Sequence, residues 1–217
     1  MIVERSEPVT LVGGAQLGPD DLSITTALAP TVVAADSGAD HLLAADIAPT
    51  AIFGDLDSIS DAARAKYADV LHQINEQDTT DLSKSLRHIQ APVVLGVGFI
   101  GDRIDHTFAA LHSALAHIDR PIVFLGSDDV VFVLKDREVS LAVPTQTPLA
   151  VLPLIESVVS SEGLKWELDQ TVLSMAGIIS SSNQTISAPA RISVRGAVAV
   201  TLPRDQLRAA IDAVRAR

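Results

Sequence analysis

From residue 8 to residue 125, short apolar runs alternate with helix-like stretches, and this alternation limits the fold more than any other feature of the chain. Residues 8–12, 31–35, 51–54, 70–74, 92–97 and 122–125 read as strands, short, β-rich and bounded by turn residues. Between them, residues 20–28, 39–45, 61–68, 80–89 and 105–118 read as helices. In the last helix Phe108, Leu111, Leu115 and Ile118 recur at spacings of three and four, which predicts a stripe facing the core. Strands alternating with helices predict a mostly parallel sheet with helices on both faces. Beyond residue 138 the pattern changes. Runs at 139–143, 149–155, 164–168, 171–173 and 192–202 are β-rich and split by Pro, Gly, Ser and Asn, and helical character returns only where Pro203 opens 204–217. The expected architecture is an α/β domain over 1–138, then an all-β sandwich over 139–217 that ends in a helix.

Ligands of an open parallel sheet bind outside the carboxyl ends of its strands. Polar clusters of this chain fall at those ends. Gly13-Gly14, Asp36-Ser37-Gly38 and Asp55-Leu56-Asp57 follow the first three strands, Gln77-Asp78-Thr79-Thr80-Asp81 the fourth, and residues 98–106 the fifth. One acidic turn is unremarkable, but several on one rim point to a site. In extended backbone Asp55 and Asp57 share a face while Leu56 turns inward. Two carboxylates aimed at one small volume need a cation, a proton or donor groups between them. Hard oxygen ligands of this kind suit Mg²⁺ bound together with substrate phosphates. The same residues also suit a tight turn that caps the next helix, so the pair alone leaves both readings open.

The other clusters divide in the same way. Asp78 and Asp81 either cap a helix and meet its dipole, or bring Asp78 to the first pair as a metal or ribose ligand. Arg103, on a glycine-containing loop, reads as an anion ligand, since a guanidinium matches phosphate oxygens bidentately. Its neighbours Asp105 and His106 also fit an N-cap and a solvated residue. Trp166, the one tryptophan, is either a core aromatic or a ligand-facing ring.

Composition removes whole classes of function. Sixteen Lys and Arg against 27 Asp and Glu give a formal net charge of −11, which disfavours nucleic acid and anionic membrane as partners. The absence of cysteine excludes disulfides, thiolate zinc sites and a Cys nucleophile, and fits a reducing compartment. A mean hydropathy of +0.32 is high for a soluble protein, a surplus that an oligomer interface would absorb. Met1-Ile2-Val3-Glu4-Arg5 does not read as a signal peptide, and no apolar run is long enough to span a bilayer, so a cytoplasmic protein is expected. G-x-G-x-x-G, Walker A and G-x-S-x-G patterns are missing. Asn183-Gln184-Thr185 fits a glycosylation acceptor but, without a secretory signal, reads as a loop.

Taken in order, Ala35-Asp36-Ser37-Gly38-Ala39, Gly54-Asp55-Leu56-Asp57-Ser58, Gln77-Asp78-Thr79-Thr80-Asp81, Arg103-Ile104-Asp105-His106, Gly163-Leu164-Lys165-Trp166 and Ser182-Asn183 resemble the thiamine pyrophosphokinase family, over residues 9–202. The resemblance implies an α/β catalytic domain, a C-terminal β-sandwich, and a homodimer with active sites near the subunit interface. It implies transfer of pyrophosphate from ATP to thiamine, with Mg²⁺, giving thiamine diphosphate and AMP. Carried over by position, Asp55, Asp57 and Asp78 are metal ligands, and together with Asp105 they form the catalytic acidic cluster. Gly13, Asp36, Gly38, Asp81 and Arg103 line the nucleotide pocket, and Trp166, Ser182 and Asn183 the thiamine side. Three departures stand out: Ser37 and Asp102 replace family glycines, and a helix extends the C-terminus. Rival readings are a D-x-D phosphatase or nucleotidyltransferase and a non-enzymatic thiamine or nucleotide sensor. The phosphatase pattern wants its aspartate after an early strand, whereas here the pair ends the third. A nucleotidyltransferase leaves the second-domain motif unexplained.

Overall fold

In the computed structural model, which describes residues 1–101 and 103–215, the first half of the chain forms short parallel strands joined by helices. These are β1 (Val3–Glu4), β2 (Val9–Val12), α1 (Asp21–Leu28), β3 (Thr31–Ala35), α2 (Gly38–Ala44), β4 (Ala51–Gly54) and α3 (Asp61–Lys66). There follow β5 (Leu71–Gln73), α4 (Asp81–His88), β6 (Ile89–Gln90), β7 (Val94–Val97), α5 (Ile104–Ala116) and β8 (Ile122–Leu125). Parallel ladders join β3 to β4, β4 to β5, β2 to β7 and β7 to β8. The two sets meet where β2 packs beside β3, through a Val9–Pro30 bridge and the Thr10 hydroxyl donating to the Ala29 carbonyl at 2.7 Å. The order β5-β4-β3-β2-β7-β8 thus grows outward from β2 in both directions, and the crevice between β2 and β7 is where such sheets place ligands. Every residue of β2, β4, β7 and β8 is buried, as parallel strands covered on both faces require.

Two helix starts settle which residues cap. The Ser60 hydroxyl accepts the Ala63 N–H at 3.1 Å and opens α3. Thr80 does the same for Ser83 at 3.1 Å and opens α4, so neither Asp78 nor Asp81 is the cap, and Asp81 is the first helical residue.

The apolar stripe expected on α5 is not the face the core covers, since Leu111 and Leu115 are only partly buried. Phe108 is 55% exposed, Ile104 71% and Ile118 37%, while the buried residues are Ala110, Ser113 and Ala114. Small side chains let α5 approach α4, where Ser113 and Thr80 hydroxyls lie 2.8 Å apart, and this close face leaves Ile104 and Phe108 on the outside.

By its contacts the chain divides into Met1–Ser127 and Asp128–Arg217, whereas the sequence pattern placed the boundary at 138/139. The difference is β9 (Asp129–Lys135), which pairs along its whole length with a strand of the second unit. That unit continues with β10 (Glu138–Leu141), β11 (Pro148–Pro153), β12 (Ser157–Glu162), β13 (Thr171–Leu173), β14 (Ser180–Gln184), β15 (Ala190–Arg195), β16 (Ala197–Pro203) and α6 (Leu207–Arg215). Antiparallel pairing gives one sheet of order β14-β11-β16-β9 and another of order β10-β15-β12-β13. Helix α6 packs on β9, β10 and β16 through Leu207, Ala210, Ile211 and Val214.

Here three expectations change. The run 192–202 is two strands, broken at Gly196, whose φ of +116° suits a glycine turn. Residues 164–168 form no strand; Leu164 makes only an isolated bridge to Thr185. Asn183 is not in a loop: it lies on β14 with its side chain 4% exposed. The final two residues of the expected terminal helix, and Asp102, lie outside the described residues.

Candidate functional site

At the carboxyl ends of β2, β3 and β7 the first unit opens a cleft of about 540 Å³, whose walls include Gly13, Asp36, Ser37, Asp81, Arg103 and His106. Its shape depends on close backbone approach. A Cβ on Gly38 would stand 2.0 Å from the Val12 carbonyl oxygen, and one on Gly13 2.5 Å from that of Gly98, so any side chain there would push the elements apart. Gly13 therefore lines the cleft, while Gly38 packs α2 onto the end of β2. Ser37, where the resemblance expects glycine, has φ −60° and ψ −10°, an ordinary right-handed conformation that carries a side chain without strain.

Beside this cleft three carboxylates converge. One oxygen from each of Asp36, Asp55 and Asp57 lies within 4.8 Å of the others. The D-x-D segment does this through a turn, not through extended backbone: Leu56 has φ +64° and is buried, the Asp57 N–H donates to Asp55 Oδ1 at 3.3 Å, and the Ser58 hydroxyl to Asp57 Oδ1 at 2.8 Å. The turn is there, although Ser60, and neither aspartate, caps the next helix, and the carboxylates converge within it. Asp36 joins because β3 and β4 are paired in parallel, with Ala35 opposite Phe53, which brings the two strand ends level.

Asp36 is the strained member. It is 5% exposed, its Oδ1 has no hydrogen-bond partner, and its pKa is pushed up to about 6, by burial first and then by the charges of Asp81, Asp55 and Asp57. A buried carboxylate oxygen without a donor is costly, and a cation among the three carboxylates would relieve it. Asp55 instead stays below its ordinary value. Gln77 Nε2 donates to its Oδ2 at 2.8 Å, the Asp57 N–H adds to this, and the charge of Lys84 acts in the same sense.

Lys84 and the donor role of Gln77 are what sequence reasoning missed. Lys84 is 2% exposed, with Nζ 3.0 Å from Asp81 Oδ1 and 3.6 Å from Asp55 Oδ2. Burial works against its charge, but Asp81, Asp55 and Glu76 outweigh that and raise its pKa above the usual lysine value. The spacing of Asp81 and Lys84 on a helix was the available signal, although such pairs are common on solvated faces.

Asp78 and Asp105 are not brought to the trio. Asp78 is exposed, and its N–H donates to Glu76 Oε2 at 2.9 Å. Glu76 is held by the Thr79 hydroxyl and Arg87, which take its pKa down to about 2. Asp105 is exposed and paired with Arg103, Nε to Oδ1 at 3.1 Å and Nη2 to Oδ2 at 2.6 Å, so each holds the other charged.

The second unit carries its own cleft, of about 490 Å³, which gathers Trp166, Ser182 and Asn183 with Asp129 and Leu149. Trp166 is 56% exposed and so no core aromatic. Buried Asn183 fixes its backbone: Nδ2 donates to the Trp166 carbonyl at 2.7 Å, and Oδ1 accepts the Trp166 N–H at 3.2 Å. Lys165 Nζ lies 4.7 Å from the centre of the indole, which shows that the ring can meet a cation.

Comparison with known proteins gives a consistent result. Residues 25–124 match the family described as "Thiamin pyrophosphokinase, catalytic domain", and residues 138–198 that described as "Thiamin pyrophosphokinase, vitamin B1 binding domain". Thiamin pyrophosphokinase 1 of Caenorhabditis elegans is 31% identical over 156 residues, 64% of this chain and 64% of that protein. Thiamine pyrophosphokinase 1 of Oryza sativa subsp. japonica is 29% identical over 164 residues, 67% of this chain and 62% of that protein. The chain thus aligns with somewhat under two thirds of the length of these relatives. Among solved structures, thiamin pyrophosphokinase from Candida albicans superposes with a TM-score of 0.77 at 17% identity, over 93% of this chain and 92% of the other. That from Geobacillus thermodenitrificans gives 0.77 at 24% identity, over 90% and 97%. These two likenesses establish the fold.

Proposed function

The chain belongs to the thiamin pyrophosphokinase family, and on that premise we propose that it transfers pyrophosphate from ATP to thiamine, giving thiamine diphosphate and AMP. The observation that carries this reading is the Asp36–Asp55–Asp57 trio, with its unpartnered buried oxygen, beside a glycine-walled cleft in the catalytic unit. ATP occupies that cleft, with Gly13, Gly38, Asp36 and Asp81 shaping its nucleotide end. Asp55 and Asp57, with Asp36 now beside them, would hold Mg²⁺, and Asp78 remains a candidate ligand by family position. When bound, the ion supplies charge neutralisation to the phosphate oxygens.

The protein's own work is positioning, because phosphoryl-type transfer needs in-line geometry and charge stabilisation more than a covalent intermediate. The thiamine hydroxyl oxygen attacks the β-phosphorus, the bond from that phosphorus to the oxygen of the α-phosphate breaks, and AMP leaves. Arg103, by exchanging Asp105 for a phosphate, stabilises the charge that develops. An exposed carboxylate, Asp78 or Asp105, accepts the alcohol proton. Trp166 presents its ring to the cationic thiazolium, and Ser182 and Asn183 frame it.

Two copies associate, with active sites near their interface, in keeping with apolar side chains such as Phe108 that the single chain leaves in water. No helix of the described residues is long and apolar enough to cross a membrane, and the proposed location is the cytoplasm.

The test is to incubate the purified protein with ATP, thiamine and Mg²⁺ and to identify the nucleotide released. AMP supports the reading. ADP points to an ordinary kinase, and stoichiometric binding without nucleotide release to a sensor.

A further inference from the structure

Four carboxylates gather at the rim of the catalytic unit: Asp36, Asp55 and Asp57 bring oxygens within 4.8 Å of one another, and Asp81 shares a lysine with Asp55. Into this group α4 sends one lysine. Lys84 is 2% exposed, and its ammonium lies 3.0 Å from Asp81 and 3.6 Å from Asp55. A buried ammonium is retained only when paired, and truncating one partner leaves the others uncompensated. Asp55 is shared: it faces Lys84 and also belongs to the trio with Asp36 and Asp57. A bound metal ion would exchange with solvent, whereas a lysine tethered to a helix does not.

We propose that Lys84 is a positioning residue, a built-in counter-ion that fixes Asp55 and Asp81 and keeps the acidic rim assembled when no divalent cation is bound. It stands where a second cation would otherwise be needed, so the rim takes its exchangeable cation on the Asp36 side. This rests on reading the trio as a cation site. The consequence is a definite sign. Without Lys84 the metal-free rim is destabilised by repulsion, so metal binding stabilises the protein more than it does the wild type.

Lys84→Met keeps an unbranched stem and removes the charge, and Lys84→Arg keeps the charge. Thermal unfolding in chelator and in saturating Mg²⁺, with calorimetric titration of Mg²⁺ in the absence of nucleotide, reads the effect apart from activity. Lys84→Met should lose several degrees in chelator, regain more than half of that loss in Mg²⁺, and bind Mg²⁺ about tenfold more tightly than wild type. Lys84→Arg should follow the wild type in both. Should Lys84→Met stay folded only in Mg²⁺, the inference is supported in its strongest form. A Lys84→Met loss that is equal in chelator and Mg²⁺, or unchanged affinity in Lys84→Met and in the milder Lys84→Gln, makes Lys84 a packing residue and overturns it. If wild type and variants alike ignore Mg²⁺, the cation reading of the trio falls first and this inference with it.

Discussion

Asp36 concentrates the physics of the site. Its buried carboxyl has a pKa pushed up from 3.8 to about 6 by burial and by three neighbouring acids. In the metal-free protein the folded state therefore holds a proton that the unfolded state has released, throughout the interval between those values. Stability is highest below the lower value and falls as pH rises through about 6. In chelator, Asp36→Asn should flatten that dependence and raise the melting temperature at neutral pH. A variant whose melting still falls across this window as steeply as wild type would move the cause elsewhere. Asp57 differs, being exposed and hydrogen-bonded to Ser58. Asp57→Asn should leave the protein folded and lower kcat at saturating Mg²⁺ by about 100-fold or more, and near-normal turnover would remove it from the mechanism. Asp55 and Asp57 were legible because D-x-D after an apolar run is a local pattern. The place of Asp36 beside them was not, since it needs the register between β3 and β4, which no single segment encodes.

At the scale of elements, the strands of the first unit were readable because parallel strands buried on both faces are continuous apolar runs bounded by turns. The polar strand β14, with sequence Ser-Ser-Ser-Asn-Gln, carries no such signal, and it is the strand that holds Ser182 and Asn183. The stripe on α5 misled for the opposite reason: periodicity shows that a helix has an apolar face, not which face the fold covers, and here the covered one is the small-residue face with Ala110, Ser113 and Ala114. Trp166 sits on a segment without regular strand structure, pinned by Asn183 and open to solvent. Trp166→Ala should therefore raise the KM for thiamine about tenfold or more while leaving the melting temperature close to wild type, since an exposed ring contributes little to the core. A large loss of stability with unchanged KM would return the tryptophan to a structural role.

For the whole molecule, family membership and the two clefts carry different parts of the account. The α/β unit holds the acidic rim and the glycine-walled cleft, and the β unit holds the aromatic cleft. The resemblance implied an α/β unit followed by a β unit, because its motifs run in order along nearly the whole chain. What it could not supply was the buried counter-ion, a property of packing in α4. The central claim is that the β- and γ-phosphates of ATP move together onto thiamine. The most direct measurement supplies ATP labelled at the β-phosphate, with thiamine and Mg²⁺, and follows the label over many turnovers. The account predicts label in thiamine diphosphate, with unlabelled AMP formed in equal amount, and label retained in ADP would contradict it.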